Sequence, residues 1–190
     1  MTVSGNLRTL LISQIPNLRA FAYSLCGNSD EADDLVQETL MRSWANIESF
    51  QEGTNLRAWL FTILRNAFYS ERRRRRNEVD NGEGEAETRL VDIPRQDSHM
   101  DFQDFRAALA DLPEEQREAL ILVGASGFSY EEAAEICGCR VGTVKSRVSR
   151  ARRRLIELLA LENAGEFSND ATSEAVLSLA GTASSQFQRR

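Results

Sequence analysis

Apolar residues recur at intervals of three and four along most of this chain, and almost no segment alternates with the period of two that is typical of a strand. The interval predicts an all-α fold. Near the N-terminus it favours one or two helices, with Pro16 opening the second because proline is tolerated in a first helical turn. Gly27 is expected to end this helical stretch, and Asn28 to cap the next helix. The apolar stripe of that next helix consists of Leu35, Val36, Leu40, Trp44 and Ile47.

A loop is predicted at residues 50–55, followed by a third helix that starts near Leu56. Aromatic and basic side chains interleave along this helix, and a run of arginines at residues 72–76 closes it. Such a mixture suits single-stranded nucleic acid, because rings stack on bases while cations neutralise phosphates. Burial in the core is the simpler explanation for Trp59, Phe61 and Phe68. The better candidates for contact are Arg65, Asn66 and Tyr69.

Residues 129–155, SYEEAAEICGCRVGTVKSRVSRARRRL, have the pattern of a helix-turn-helix. Ser129 and Glu132 have the spacing of a capping box, and Gly138 suits the left-handed backbone conformation that ends many helices. The second helix carries one apolar stripe, which we expect to face the core. That stripe consists of Val141, Val144, Val148, Ala151 and Leu155.

The rest of the second helix is strongly basic, although the whole chain has a net charge of −6. No acidic residue lies between Arg140 and Leu155. A solvated helix ordinarily mixes both signs, so this concentration of positive charge favours a helix that binds nucleic acid. The side chains best placed to read bases are Lys145, Ser146, Ser149 and Arg150. Those expected to meet phosphates or partner surfaces are Arg147, Arg152, Arg153 and Arg154.

Composition divides the chain into four parts. Residues 7–76 and 102–161 carry the helical patterns and are predicted to form two small domains. Residues 77–101 are acidic and poor in aromatic side chains, which predicts a flexible linker. Residues 162–190 are rich in Ser, Ala, Thr and Gly and predict a mostly disordered tail.

Nothing in the sequence indicates catalysis, a cofactor or a membrane anchor. No apolar run approaches the roughly 18 residues of a membrane span, and the N-terminus lacks the pattern of a signal peptide. Cys137, Cys139 and the lone His99 provide too few ligands for a metal site. The odd number of cysteines without an export signal predicts a reducing cytoplasm. We therefore expect a cytoplasmic protein that is not an enzyme and needs no cofactor.

Four segments together resemble one known family: DEADDLVQETLMRSW, LRAWLFTILRN, LPEEQREALILV and GTVKSRVSRARRRL. Over residues 7–160 the chain resembles the bacterial sigma factors of the extracytoplasmic-function (ECF) class. Within that class it is similar to the EcfG-type general stress response sigma factors of alphaproteobacteria. The resemblance implies a sigma region 2 bundle followed by a region 4 helix-turn-helix.

The resemblance also implies roles for individual residues. Docking on the β′ coiled coil of core RNA polymerase is implied for Asp34, Gln37 and Glu38. Binding and opening of the −10 promoter element is implied for Phe50, Asn55, Arg65, Asn66, Tyr69 and Arg72. Recognition of a GGAAC-like −35 element is implied for Arg140, Thr143, Lys145, Ser146, Arg147, Ser149 and Arg150. The second domain is further expected to touch the β flap of the polymerase.

The partners implied are core RNA polymerase, promoter DNA and a NepR-type anti-sigma factor wedged between the domains, with no membrane partner. Two alternatives stand beside the sigma factor. One is a sigma mimic that binds the anti-sigma factor without DNA, as the sigma-like part of the PhyR regulator does; it should lack the basic helix and carry a receiver domain. The other is a dimeric repressor, which would leave the acidic positions of the first domain unexplained.

Overall fold

The computed structural model describes residues 5–51, 53–80 and 100–159. Within these ranges the regular structure is helical, as predicted, and seven α-helices and one short 3-10 helix follow one another. The helices are α1 (Gly5–Cys26), α2 (Ser29–Ala45), a 3-10 turn (Ile47–Ser49), α3 (Leu56–Asp80), α4 (Met100–Ala110), α5 (Glu114–Gly124), α6 (Tyr130–Cys137) and α7 (Val141–Leu158). Most of the predicted linker, the lone His99 and the predicted tail lie outside the described residues.

Helices α1, α2 and α3 form a bundle around large apolar side chains. Leu18 and Phe21 of α1 are fully buried, and the Phe21 ring stacks on Phe61 of α3 with centroids 4.8 Å apart. The predicted break at Pro16 is wrong, because α1 runs through it. Proline costs the helix one backbone hydrogen bond, and burial of Leu11 before it and Leu18 after it in one core opposes that cost.

The junction between α1 and α2 follows the prediction. Gly27 has φ of 73°, the left-handed conformation that ends a helix. The Asn28 side chain then accepts hydrogen bonds from the backbone N–H groups of Asp30, at 2.8 Å, and Glu31, at 3.5 Å. These bonds satisfy donors that the first turn of α2 would otherwise leave unpaired.

Helix α3 is longer than the sequence predicted and ends at Asp80, inside the expected linker. Ion pairs along its exposed surface account for the extension. Glu71 pairs with Arg74 at 2.9 Å and with Arg75 at 3.0 Å, while Arg74 lies 3.8 Å from Glu78. Opposite charges three or four positions apart support a helix.

Helices α4 to α7 form the second helical unit. Helix α5 packs on α6 and α7, with Leu120 and Leu122 fully buried. The predicted stripe of α7 faces this core: Val144, Val148, Ala151 and Leu155 are buried, and Val141 is half-buried.

The two units pack against each other and share one apolar core. Helix α3 lies on α6, and α1 lies on α5. At the junction the Phe61 ring meets Phe128 edge to face, with centroids 4.9 Å apart, and the Arg57 guanidinium lies 4.6 Å from the centre of the Phe128 ring. No pattern in the sequence predicts this packing.

Candidate promoter and polymerase interfaces

The helix-turn-helix of α6 and α7 is held at its start and at its turn. The Glu132 backbone N–H donates to Ser129 Oγ at 3.1 Å, and the Ser129 N–H donates to Glu132 Oε2 at 2.9 Å. This is the predicted capping box. Gly138 ends α6 with φ of 62°, a conformation that side chains with a Cβ adopt only with strain. Together these features fix the direction in which α7 leaves the turn.

The outer face of α7 presents most of the predicted −35 residues to solvent. Arg140, Lys145, Ser149 and Arg150 are exposed, while Thr143 and Ser146 are half-buried. Ser146 Oγ donates to the Thr143 carbonyl at 2.8 Å, which leaves the hydroxyl oxygen able to accept a hydrogen bond. Lys145 Nζ lies 5.6 Å from the centre of the Tyr130 ring of α6. A row of cations on one helix face can engage phosphates in either groove of a duplex.

Arg147 differs from the other predicted −35 residues. Its side chain is only 16% exposed and forms an ion pair with Glu115 of α5 at 2.5 Å. A guanidinium N–H also approaches the Cys139 sulfur at 3.8 Å. Arg147 therefore braces α7 against α5, which the sequence could not indicate because the partner lies 32 residues away.

The predicted polymerase-docking residues share one outward face of α2. Asp34 and Gln37 are exposed, and Glu38 is half-buried and accepts a hydrogen bond from Arg42 Nε at 2.6 Å. The neighbouring Asp33 instead forms a two-pronged ion pair with Arg19 of α1. Asp33 thus joins α2 to α1, whereas Asp34, Gln37 and Glu38 face outward.

Two large apolar side chains extend this outward face. Trp44 belongs to the apolar stripe that the sequence predicts for α2, but it is 51% exposed, and Met41 is 69% exposed. The positions 34, 37, 38, 41 and 44 follow helical spacing, so they lie on one side of α2. Leu35 and Val36 occupy the buried side instead. We call the outward set, Asp34, Gln37, Glu38, Met41 and Trp44, the α2 face.

The predicted −10 residues lie on α3 and on the loop before it, and four of the six contact the second helical unit. Arg65 Nε donates to Glu118 Oε1 of α5 at 2.7 Å, and the Tyr69 hydroxyl donates to Glu118 Oε2 at 3.3 Å. Arg72 pairs with Glu114. Asn55 caps α3 through the Ala58 N–H, at 3.1 Å, and donates to Glu132 at 2.7 Å.

The remaining two −10 residues, Phe50 and Asn66, have no contact with the second unit among those that the structure describes. The ring of Phe50 lies 5.3 Å from that of Trp59, within the first unit. Asn66 is exposed on α3, one position beyond Arg65. Most of the predicted −10 residues thus lie against the second unit.

Glu118 dominates the electrostatics of this junction. Its side chain is fully buried, and burial raises the pKa of the carboxyl although Arg65 opposes the shift. The pKa of the Tyr69 hydroxyl is also raised, first by burial and then by the charge of Glu118. A buried carboxylate requires a cationic partner, because unpaired charge in an apolar environment is strongly unfavourable. Arg65 is that partner here.

Two of the described cysteines, Cys26 and Cys137, are not activated for metal or redox chemistry. Burial raises the pKa of Cys26 and of Cys137 to about 12, so both remain thiols at neutral pH. Among the residues with described positions, no group of three or more His, Cys, Asp or Glu side chains could hold a metal ion. No described helix has the length and apolar character needed to cross a bilayer.

Comparison with known proteins agrees with this geometry. The family model of Sigma-70 region 2 matches residues 11–78, and that of Sigma-70 region 4 matches residues 102–155. The chain therefore belongs to the sigma-70 family, among the ECF sigma factors of RNA polymerase. Within that class it is 58% identical over 177 residues to the ECF RNA polymerase sigma factor EcfG of Rhodopseudomonas palustris (strain TIE-1). The alignment covers 93% of this chain and 98% of that relative.

Several solved structures are similar over most of the chain, and two of them bear on the alternatives. The sigma factor RpoE from Bartonella quintana, in complex with the anti-sigma factor NepR, has a TM-score of 0.76 and 54% identity and covers 83% of this chain and 99% of its own. The PhyRSL–NepR complex from Sphingomonas sp. Fr1 has a TM-score of 0.60 and 27% identity, covering 83% and 92%. By both measures the sigma factor is more similar to this chain than the PhyR domain.

Proposed function

We propose that this sigma factor directs RNA polymerase to the promoters of a general stress response, with three separate surfaces for three targets. The α2 face docks on the β′ coiled coil of core polymerase. The loop before α3 and the predicted −10 residues of α3 bind the opened −10 element, and the outer face of α7 reads the −35 element. The observation that carries the proposal is the exposed basic face of α7, set on a capped helix-turn-helix.

The −35 assignment rests on the chemistry of the α7 surface. Lys145 and Arg150 supply cations that can donate to guanine edges or phosphates, and Ser146 and Ser149 supply hydroxyls near the start of the helix. Helix α7 is long enough to extend beyond the turn and enter a major groove. Arg147 is best regarded as a brace that positions α7, since its guanidinium is engaged with Glu115. Arg147 therefore contributes to DNA binding through the position of α7.

The polymerase assignment rests on the mixture of residues in the α2 face. Acidic and amide groups surround Met41 and Trp44, which are largely exposed. A partly apolar centre with a polar rim is the usual anatomy of a protein–protein interface, and Trp is enriched among the residues that dominate binding energy. This face adds Met41 and Trp44 to the three docking residues that the sequence indicated.

The remaining parts of the proposal concern partners and setting. The protein acts in the cytoplasm without catalysing a reaction of its own, and the β flap contacts its region 4. A NepR-type anti-sigma factor is its inhibitor, since the similar sigma factor RpoE has been solved with NepR. Melting is assisted by holding unstacked −10 bases, which offsets an unstacking cost of a few kcal/mol.

Run-off transcription with purified core polymerase tests the proposal. The template carries a GGAAC-type −35 element, and a matched template carries a scrambled element in its place. We expect a transcript only when both this protein and the intact element are present. Transcription that ignores the element would contradict the general stress assignment. Absence of any transcript, with folded protein and competent core, would favour the sigma mimic.

A further inference from the structure

One guanidinium joins the three elements that determine where α7 lies. Arg147 pairs with Glu115 of α5, and its other terminal nitrogen lies 3.8 Å from the sulfur of Cys139 in the turn before α7. The side chain of Arg147 is 16% exposed, whereas that of Glu115 is 63% exposed. The cation is therefore held against the body of region 4, and the anion that holds it lies at the surface.

Arg147 lies at the border between the two sides of α7. Val144 is fully buried, and Arg150 is exposed on the side proposed to read the −35 element. Positions three and four apart share a helix face, so Arg147 neighbours both of them. Arginine has a long flexible stem, and from such a border its charged end can turn inward to a carboxylate or outward to a phosphate. In the structure it turns inward, to Glu115.

A second carboxylate of α5 favours the inward direction. Glu118 lies three positions after Glu115 and is fully buried. Burial raises the pKa of its carboxyl, and the charges of Arg65 and, to a smaller extent, Arg147 oppose that rise. Arg147 thus interacts with two anions of α5. Of these, Glu115 is the one that can be changed without opening the core.

Base contacts and phosphate contacts depend on the placement of a helix in different ways. A hydrogen bond to a base edge is directional and weakens steeply when the donor is misaligned. A contact with a phosphate adds affinity for every sequence, and a cation on a flexible stem tolerates a shift of the helix. Discrimination between sequences therefore requires a fixed α7, whereas affinity alone does not. An ion pair that fixes α7 and occupies one of its cations thus favours discrimination over affinity.

We propose that Glu115 is a positioning residue that determines −35 specificity, because it fixes the direction of α7 and keeps Arg147 from DNA phosphates. The inference rests on the proposed −35 role of α7. Glu115 acts through Arg147, which lies 32 positions later in the chain, and needs no contact with a base of its own. A residue outside the helix-turn-helix, in the first turn of α5, thus helps to select the promoter.

The test compares variants of the full-length chain that remove one charge. Glu115→Gln removes the anion that holds Arg147, at nearly constant shape. Glu114→Gln is the matched control, because Glu114 is the preceding residue in the same first turn of α5 but pairs with Arg72 of α3. Both substitutions remove the same charge near the N-terminus of α5, so they have similar effects on the helix dipole and on the net charge of the protein. Arg147→Gln removes the cation itself.

Two quantities are measured by fluorescence anisotropy at several salt concentrations. The first is the ratio of affinities for a duplex with the GGAAC-type element and a duplex with a scrambled element. The second is the slope of log affinity against log salt concentration, which counts the phosphates that the protein neutralises. For Glu115→Gln we expect the ratio to fall roughly fivefold, within the coupling that contacting residues show. We expect the slope to steepen by about 0.9 beyond that of Glu114→Gln, as for one additional phosphate contact.

The other two variants separate the position of α7 from the charge of Arg147. Arg147→Gln should also lower the ratio, because it breaks the same ion pair, but its slope should not steepen. Glu114→Gln should keep the ratio of the parent. A mere loss of folded protein would weaken binding to both duplexes in the same proportion and leave the ratio unchanged.

An unchanged ratio in Glu115→Gln, or an equal fall in Glu114→Gln, would overturn the inference. A lower ratio without a steeper slope would overturn the statement that Glu115 keeps Arg147 from phosphates. Lys145→Ala shows whether the −35 assignment itself is at fault. If it lowers the ratio while Glu115→Gln does not, only the role of Glu115 is wrong; if neither changes the ratio, α7 does not read this element.

Discussion

Asn55 and Glu132 lie 77 positions apart in the chain, yet Asn55 Nδ2 donates to Glu132 Oε1 at 2.7 Å. The same Glu132 closes the capping box of α6, and Asn55 caps α3. The starts of two helices from different sigma regions are therefore joined through one carboxylate. Any change at Glu132 affects both the helix-turn-helix and the loop that precedes α3.

The charge of Glu132 should make stability depend on pH. The backbone N–H of Ser129 is the main cause of its lowered pKa, with Asn55 adding to it. A carboxyl whose folded pKa is depressed stabilises the fold above its ordinary value of 4.5 and loses that contribution as pH falls through the folded pKa. Glu132→Gln can keep the capping geometry. We expect it to lower the free energy of unfolding at pH 7 by less than about 1 kcal/mol.

The check is urea denaturation of parent and variant at pH 7 and at pH 3. The difference between the two proteins should shrink as pH falls through the folded pKa of Glu132, because protonation removes the charge that distinguishes the two side chains. A difference that stays constant with pH would show that the charge of Glu132 contributes nothing and that the substitution acts through packing.

Replacement of Gly138 tests the turn of the helix-turn-helix. A Cβ at this position meets no atom within 4 Å, so the cost of Gly138→Ala is purely conformational and arises from φ of 62°. We expect a loss of about 1–2 kcal/mol in the free energy of unfolding. Gly142→Ala is the matched control, because Gly142 has equal space but lies in α7 with ordinary helical backbone. That variant should gain roughly 0.5–1 kcal/mol. Equal effects of the two substitutions would contradict the conformational explanation.

Lys145→Ala and Arg150→Ala test the −35 surface. Each should weaken binding to a −35 duplex by about 1–3 kcal/mol if the side chain contacts a base, and should change the preference among −35 sequences. A contact to phosphate alone would instead weaken all sequences alike and reduce the salt dependence. Arg8→Ala, an exposed cation on α1, controls for the loss of one positive charge. Titration by fluorescence anisotropy at several salt concentrations distinguishes these outcomes, and an unchanged preference removes the residue from the base-reading set.

Reversal of charge at Glu38 tests docking on core polymerase. Glu38→Lys should weaken binding to core at least about tenfold, since like or misplaced charges at an interface cost several kcal/mol. Its ion pair with Arg42 is exposed and contributes little to stability. The fold should therefore be retained. Glu135→Lys provides the same change on α6, and competition for core against an unlabelled parent is the measurement. Equal competition by Glu38→Lys and the parent would remove Glu38 from the docking set.

Trp44 offers the sharpest contrast between the sequence reading and the structure. A buried Trp replaced by Ala would cost about 3–5 kcal/mol of stability. Because Trp44 is half exposed, we expect Trp44→Ala to change the free energy of unfolding much less than that. It should instead weaken binding to core by about 2 kcal/mol or more, as anchor residues at interfaces do. Thermal denaturation measures the stability, and the same competition assay measures binding to core polymerase. A large loss of stability with unchanged core binding would show that Trp44 serves the packing of the fold and not the docking surface.

Local chemistry made much of this protein predictable. The helical period, the Asn28 cap, the Ser129–Glu132 capping box and the left-handed Gly138 depend on neighbours within a few residues, and the structure confirms each of them. The basic face of α7 was predictable for the same reason, because its charges and its apolar stripe alternate at one helical spacing. The family resemblance was carried by these same short motifs.

The tertiary structure alone decided which partner each charged or aromatic side chain meets. Glu118 lies in an ordinary stretch of α5, and nothing near it in sequence indicates that it is fully buried against Arg65, 53 positions away. The resemblance implied a −35 role for Arg147, and spacing placed Trp44 in the apolar stripe of α2, yet Arg147 is engaged by Glu115 of α5 and Trp44 is 51% exposed. Periodicity identifies the side of a helix, whereas the element that covers that side depends on long-range packing. The sequence therefore determined the helices and their chemistry, and the packing of region 2 on region 4 determined which of those surfaces are open.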